Sequence, residues 1–521
     1  MIPFRRRQII QEYIMKVKEQ VCATLVVVVA ISCSLSASAQ MTPVSGSDVP
    51  SLRQLDSAMI ELMREYDLPG GQLAVAKDGR LVYDRGFGFA DTATKEVVQP
   101  SSVFRIASSS KPVTMAAIHL LIDRGQLDLH ARMTDVWGNL TPVPGESLHP
   151  SLDSVTVRML LRHMGGWDSR VTGDIQYLYY REAAQALGVP EPADGPALVR
   201  FLMSRPTQFK PGTGVVYSNF GYNVLGRIIE AVSGKSYEDF VRDEIWTKAG
   251  TAVPRIGGTR RSDRLPNEVS YYTPPEQGSV YSIYCDEKAK VSMAYGGDFV
   301  VRTADAHGGW VCSASDMVRF LTSLDTATSR PHLVSGTQIR EIEQRPGIPS
   351  FDTKPVYQGS GFLCSDDGST WNHAGALSGT SSSMWRLGES GISYAWVFNS
   401  LPVTRMNEFY PRVDSILRSF LEGVQGANWP QHDFFSTVRV TDNKDRTDFR
   451  VLPNPTSSSL EIYLPNDLTL PSTVFFTSTD GKQYLFSVSE PLSTISTSQI
   501  PAGSYVVSLD QGPSIIVVVA K

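Results

Sequence analysis

Cysteine is scarce in this sequence. Five of the 521 residues are Cys, and only Cys285, Cys312 and Cys364 lie beyond position 40. Three thiols in so long a chain make no disulfide framework, and they lack the paired short intervals of a zinc site. They read as buried thiols, or as one bridge and one thiol, and no chemistry is placed on them. An excess of positive charge is lacking too. The 48 basic and 53 acidic residues give −5, and removing residues 1–39 leaves 43 basic and 51 acidic, or −8, the wrong sign for a nucleic-acid partner. Long hydrophobic runs are nearly absent. The apolar stretch 21–35 is shorter than the ~20 residues of a helix that crosses a bilayer, so no stable membrane span is expected.

That stretch fits another role. It follows Arg5, Arg6, Arg7, Lys16 and Lys18 and leads into Ala37-Ser38-Ala39, the three regions of a secretory signal peptide in order, with cleavage expected before Gln40. Met15-Lys16-Val17-Lys18 would itself open a compact signal, so the start is open between Met1 and Met15. Ala30-Ile31-Ser32-Cys33 makes a poor lipid-attachment box, and lipidation is the minor alternative.

What is present is ordinary globular usage, 41% apolar and 19% charged, with length for two to four domains. Leu52, Leu55, Met59, Leu62 and Met63 form a helical stripe that ends before Pro69-Gly70-Gly71. Strand-like runs 72–76 and 81–83 follow, joined by Lys77-Asp78-Gly79-Arg80, whose Asp-Gly suits a tight hairpin. Helices are expected over 114–124, capped by Gly125, and over 219–233, stopped by Gly234. Strands return at 382–387 and 392–398. A sheet built from both ends of the chain with helices between is an α+β architecture. From Val451 onward, 20 of 71 residues are Ser or Thr and 7 are charged, with short strand-like runs that predict a small β-sandwich.

Three motifs can carry chemistry. Ser108-Ser109-Ser110-Lys111 sits just before the 114–124 helix, so Ser108 and Lys111 can lie one turn apart on one face. A serine hydroxyl needs a base, and a lysine serves when burial and a helix N-terminus depress its pKa. Alone, Ser-x-x-Lys is weak: a chain of this length holds one or two by chance, and a capping serine with a surface lysine is the favoured reading of the motif by itself. Tyr217-Ser218-Asn219 opens the second helix; its structural reading is an Asn cap and a core tyrosine, its functional one a proton-sharing phenol and an orienting amide. His-x-Gly occurs at His163, His307 and His373. Only His373-Ala374-Gly375 leads into a late strand pair, where a small step lets a substrate backbone meet a strand edge. His163 is expected to be a helix-ending histidine and His307 a turn histidine.

The order Ser-x-x-Lys, Tyr-x-Asn, His-x-Gly, spaced 109 and 156 residues apart, resembles the serine hydrolases of the class C β-lactamase and D-Ala-D-Ala carboxypeptidase superfamily. Leu160-Leu161-Arg162-His163 and the Gly308-Gly309 helix entry are lesser echoes. The resemblance implies a serine β-lactamase/penicillin-binding-protein-like domain over 48–425, an antiparallel sheet flanked by helices plus a helical subdomain. It implies Ser108 as acylated nucleophile, Lys111 and Tyr217 as proton-transfer pair, and Asn219, His373 and Gly375 as positioning groups. The N–H groups of Ser108 and Ala376 would form the oxyanion hole, and no cofactor or metal is implied. Lys-Thr-Gly and Ser-Asp-Asn motifs are lacking, so esters or short peptides, D-residues included, are preferred over β-lactams. Carboxypeptidase or β-lactamase activity, and a non-catalytic binding protein on the same scaffold, are the alternatives.

Beyond a linker over 426–448, Val451-Leu452-Pro453-Asn454-Pro455-Thr456-Ser457 and Ile500-Pro501-Ala502-Gly503-Ser504-Tyr505 resemble a type A sorting domain of the type IX secretion system, over 449–521. That resemblance implies secretion or surface display via the periplasm, with the secretion machinery as partner. A plain accessory or carbohydrate-binding sandwich is the other reading of the same residues.

Overall fold

The computed structural model describes residues 42–284, 288–325 and 332–435, and beyond them seven strands between 450 and 519. The expected signal peptide, the linker from 436 on, Cys285 and the Pro453-Asn454-Pro455 segment lie outside the described residues.

Ten elements place the site. They are α1 (Arg53–Glu65), β1 (Gly70–Lys77), β2 (Arg80–Asp91), α2 (Lys111–Asp123), α3 (Asn219–Ser233), α4 (Ala314–Thr322), then β3 (Thr370–Leu377), β4 (Thr380–Leu387), β5 (Ile392–Phe398), and finally α5 (Met406–Gly423). The main sheet is antiparallel and joins the two ends of the chain, running β2-β1-β5-β4-β3, with short strands at both edges. Its seam is β5 against β1, where Tyr394 pairs with Val75 and Trp396 with Leu73. The β1–β2 turn has Asp78 and Gly79 both at positive φ, +51° and +76°, the geometry that tight hairpins require.

Period-two alternation assigns the two faces of the sheet. Leu73, Val75, Tyr394, Trp396 and Phe398 meet Leu55, Met59 and Leu62 of α1 and Phe409, Val413, Leu417 and Leu421 of α5. Ala74, Ala76, Ala395 and Val397 face the larger core, with α2, α3 and α4. Small residues on that face let helices come close; large ones fill the groove under α1 and α5. The α1 stripe is buried as the periodicity predicts. The α4 start is fixed by a capping box, Ser313 Oγ accepting from the Asp316 amide while the Asp316 carboxylate accepts from the Ser313 amide.

Two local expectations change. The first helix of the site begins at Lys111 rather than near Thr114, and Ser108 stands in the 3-10 turn Ala107–Ser110 just ahead of it. His373 lies inside β3 rather than ahead of the strand pair. The run Thr370–Leu377 alternates half-buried with buried positions, but its small and polar residues hid the strand from a reading based on apolar content.

After residue 435 the strands form two antiparallel sheets. One joins Arg450–Leu452, Ser459–Tyr463 and Leu492–Ser496; the other joins Gln483–Val488, Ser472–Ser478, Gly503–Leu509 and Ser514–Val519. Cys312 and Cys364 are buried on separate strands, and burial pushes the Cys364 thiol up to about 12. Among the described residues no helix is long and apolar enough to cross a membrane.

Candidate active site

The turn that carries Ser108 is strained. Ala107, directly before it, holds φ +48°, a value rare for a residue with a Cβ, and is fully buried. Ser109 and Ser110 beside it are buried, while Ser108 is partly open. The turn is held against β3 at Gly375: a Cβ there would lie 2.2 Å from the Ile106 carbonyl oxygen, 2.4 Å from Ser382 Oγ and 3.0 Å from the Ser109 amide nitrogen. No side chain fits in that gap, which gives the glycine of His-x-Gly a steric reason. Ser382 Oγ donates to the Ile106 carbonyl at 2.7 Å and lies 2.9 Å from Ser109 Oγ, tying β4 to the same turn. From the other face, Tyr410 of α5 donates to the Gly375 carbonyl at 2.6 Å.

Lys111 is fully buried, its Nζ 3.1 Å from Ser108 Oγ, 2.7 Å from Asn219 Oδ1 and 2.8 Å from the His307 carbonyl; as a free amine it donates to the last two and accepts from the serine hydroxyl. Burial holds its amine well below the usual lysine range, with Asp174 opposing weakly. The amine also lies over the Tyr217 ring, 4.7 Å from the centroid. Tyr217 is 42% exposed, so the burial that raises its phenol above the ordinary tyrosine range is incomplete; the Ser108 hydroxyl bonded to it opposes the rise. An amine that gives up its proton easily thus stands beside a phenol that keeps its own.

Of the two readings of Asn219, cap or orienting amide, the cap is taken by its neighbour. Ser218 Oγ accepts from the Gly221 amide at 3.1 Å, leaving the Asn219 side chain to bridge Lys111 and Asp174, whose Oδ2 accepts from Asn219 Nδ2 at 2.6 Å. Asp174 is itself fixed by accepting from the Gln176 amide.

His163 and His307, read from sequence as structural, both reach this cluster. His163 follows a short helix with φ +57°, accepts from the Ser218 amide through Nδ1 at 3.1 Å, and packs its ring 4.5 Å from that of Tyr217. The His307 segment is brought to Lys111 by close packing, since a Cβ at Gly226 of α3 would lie 2.6 Å from the Ala306 Cβ, and Thr114 Oγ1 donates to the Ala306 carbonyl at 2.6 Å. Burial, then the neighbouring Lys111, hold both rings well below the usual histidine range. His373 is likewise pushed down to about 3, chiefly by burial. Its Nδ1 donates to the Gly361 carbonyl at 2.7 Å, and its ring lies 6.3 Å from that of Tyr217.

The structure therefore brings Ser108, Lys111, Tyr217, Asn219, His373 and Gly375 to one place, with Ala376 next along β3. Sequence reasoning missed Asp174, Tyr410 and the roles of His163 and His307. A His-x-Gly match flagged the two histidines, but only tertiary packing separates a structural ring from one at the site. Asp174 and Tyr410 had no motif.

The Beta-lactamase family model matches residues 55–415, a span that takes in this whole cluster. The chain belongs to that family. Its members are serine hydrolases. Among similar curated proteins, Penicillin-binding protein 4* of Bacillus subtilis is 29% identical over 266 residues, 50% of this chain and 53% of the relative. N-acetylmuramyl-L-alanine amidase of the same organism is 27% identical over 296 residues, 52% of this chain and 62% of the relative. The chain thus spans about half the length of the first of these curated relatives. Among solved structures, the D-amino acid amidase of Ochrobactrum anthropi SV3 superposes with TM-score 0.52 and 23% identity, covering 70% of this chain and 99% of that one. The octameric penicillin-binding protein homologue of Pyrococcus abyssi does so with TM-score 0.51 and 20% identity, covering 89% and 99%. At those identities the likeness is one of fold.

Proposed function

We propose that this protein is a serine hydrolase that works through an acyl-enzyme on Ser108 and acts on esters or short peptides, including those with a D-residue. The observation that carries the reading is the buried, proton-poor amine of Lys111, 3.1 Å from Ser108 Oγ. In the first step Lys111 takes the Ser108 proton as Oγ attacks the carbonyl carbon. Tyr217, protonated at neutral pH, gives its proton to the leaving oxygen or nitrogen as that bond breaks, and regains one from Lys111. Water then reverses the sequence and releases the acid. Asn219 holds Lys111 in place between Asp174 and the serine. The Ser108 and Ala376 N–H groups serve the developing oxyanion, a device worth about 3–4 kcal/mol per donor.

The test is Ser108→Ala. Intact mass after a fluorophosphonate probe should show one adduct on the parent and none on the variant, which folds normally because a turn serine contributes at most about 0.5–2 kcal/mol as a cap. Equal labelling of both removes the assignment. Short acyl esters should be turned over at least tenfold more efficiently than a chromogenic cephalosporin, about 1.4 kcal/mol of discrimination. A cephalosporin faster than every ester reverses the substrate order.

The address belongs to the same proposal. The 1–39 segment has the layout of an export signal, and residues 449–521 serve as a sorting signal read by the secretion machinery after passage to the periplasm. Deleting 449–521 should leave hydrolase activity intact and strand the enzyme in the periplasm on fractionation. Equal export of full-length and truncated forms removes the sorting role.

A further inference from the structure

The tautomer of His373 is fixed by its partner. Nδ1 lies 2.7 Å from the Gly361 carbonyl, which can only accept, so Nδ1 carries the hydrogen. That carbonyl is itself held firmly: Gly361 has φ +72°, its amide donates to Leu161, and a Cβ there would lie 2.8 Å from Met115 of α2. In the neutral ring the remaining nitrogen, Nε2, has a lone pair and no hydrogen. It has no hydrogen-bond partner among the described residues, and the ring stands beside Tyr217.

We infer that His373 offers the Nε2 lone pair to the cleft and selects substrates that present a neutral N–H or O–H donor there, in preference to substrates that present a carboxylate. This rests on the acyl-enzyme reading above and narrows its substrate class.

The surrounding charges act in the same sense. The three basic side chains that converge on the site, Lys111, His163 and His373, are buried there together, and burial disfavours the charged form of each. Asp174, two hydrogen bonds from Lys111 through Asn219, brings an acidic group instead. A carboxylate entering would meet the Nε2 lone pair beside basic groups whose charged forms burial disfavours, and would lose its water for a weak return. A carboxamide would donate one N–H to Nε2 and keep its carbonyl for other contacts.

A matched pair of acyl esters tests this, one with a glycolamide leaving group and one with glycolate, so that the two differ only in a carboxamide against a carboxylate. Both are measured by turnover and by protection of Ser108 from fluorophosphonate labelling, which reads binding without chemistry. The wild-type protein should favour the amide at least tenfold in kcat/KM and be protected by it at lower concentration. His373→Lys, which replaces the acceptor with a cation, should bring the ratio to unity or below. His373→Gln, which keeps an acceptor oxygen, should retain the amide preference. A wild-type protein that uses or binds the acid as well as the amide, or binds neither, overturns the inference while labelling of Ser108 leaves the acyl-enzyme reading in place. Absence of labelling on Ser108 overturns both.

Discussion

The two walls of the cleft are built on different principles. On the helical wall, Lys111, Asn219, Asp174 and the His307 carbonyl are joined by side-chain hydrogen bonds of 2.6–2.8 Å, and every link holds the lysine beside Ser108. On the sheet wall, β3 presses its backbone onto the serine turn at Gly375, with room for no Cβ, and His373 is fixed by a main-chain carbonyl. The helical wall thus governs where protons go, and the sheet wall governs shape. Damage to the first should cost mainly rate, with stability lost only where a buried acceptor is left without its donor; damage to the second should cost both.

The sharpest way to break the helical wall is Lys111→Met. Acylation by an activated ester should fall by about 10³-fold, within the usual range for loss of a general base. The Asn219 and His307 oxygens lose their donor, so a destabilisation of about 1–3 kcal/mol is expected as well. Stopped-flow acylation with a thermal melt checks both. Loss of less than tenfold in rate would assign the proton to another group.

Gly375→Ala strikes the sheet wall. The new methyl would meet the Ile106 carbonyl and the Ser109 amide, backbone atoms that cannot swing aside. Overpacking of this kind costs about 1–3 kcal/mol, and displacement of the serine turn should lower kcat/KM about 100-fold. Unchanged Tm and activity would show that the gap closes elastically and that the wall does not set shape.

Asp174→Ala acts one bond farther away. Asn219 loses its 2.6 Å partner but keeps Lys111, so kcat should fall about tenfold, roughly 1.4 kcal/mol, with Tm nearly unmoved. Asp174→Asn, which keeps an acceptor, should recover most of the rate. A loss in Tm as large as that in Gly375→Ala would erase the distinction between the walls.

The gentlest probe is pH. His373 and His119 sit at about 3 and about 4 in the folded chain, against an ordinary 6.5, because burial disfavours their charged forms. The unfolded chain therefore binds more protons below pH 6.5, so stability is complete above that value and declines as pH falls toward 3. Activity should behave differently. Its acid limb follows protonation of Lys111, and its alkaline limb follows ionisation of Tyr217 above the ordinary tyrosine range. Melts from pH 3 to 8 and kcat/KM from pH 5 to 11 separate the two, and a stability that rises on acidification would contradict the buried neutral histidines.

Much of this protein is local and hence legible in its sequence. The α1 stripe, the Asp78-Gly79 turn and the Asn219–Ser233 helix follow from periodicity and turn chemistry, which depend on neighbours a few residues apart. The order of Ser108, Lys111, Tyr217, Asn219 and His373 is equally a property of the chain, and each motif is short. Position along the chain picked His373 from the three His-x-Gly tripeptides; what the chain alone left open is the company it keeps, His163 and the His307 carbonyl included. The answer required β5 to pair with β1 across more than 300 residues of sequence, and α3 to bring in Ala306 through the gap at Gly226. The strand carrying His373 has too few large apolar residues to announce itself; it is a strand because β4 pairs with it and because its glycine lets the serine turn approach. Asp174 and Tyr410 matter only through bonds to partners 45 and 35 residues away. Local pattern supplies elements and chemical groups, whereas burial, and with it the protonation of Lys111 and the histidines, exists only once distant segments have excluded water together.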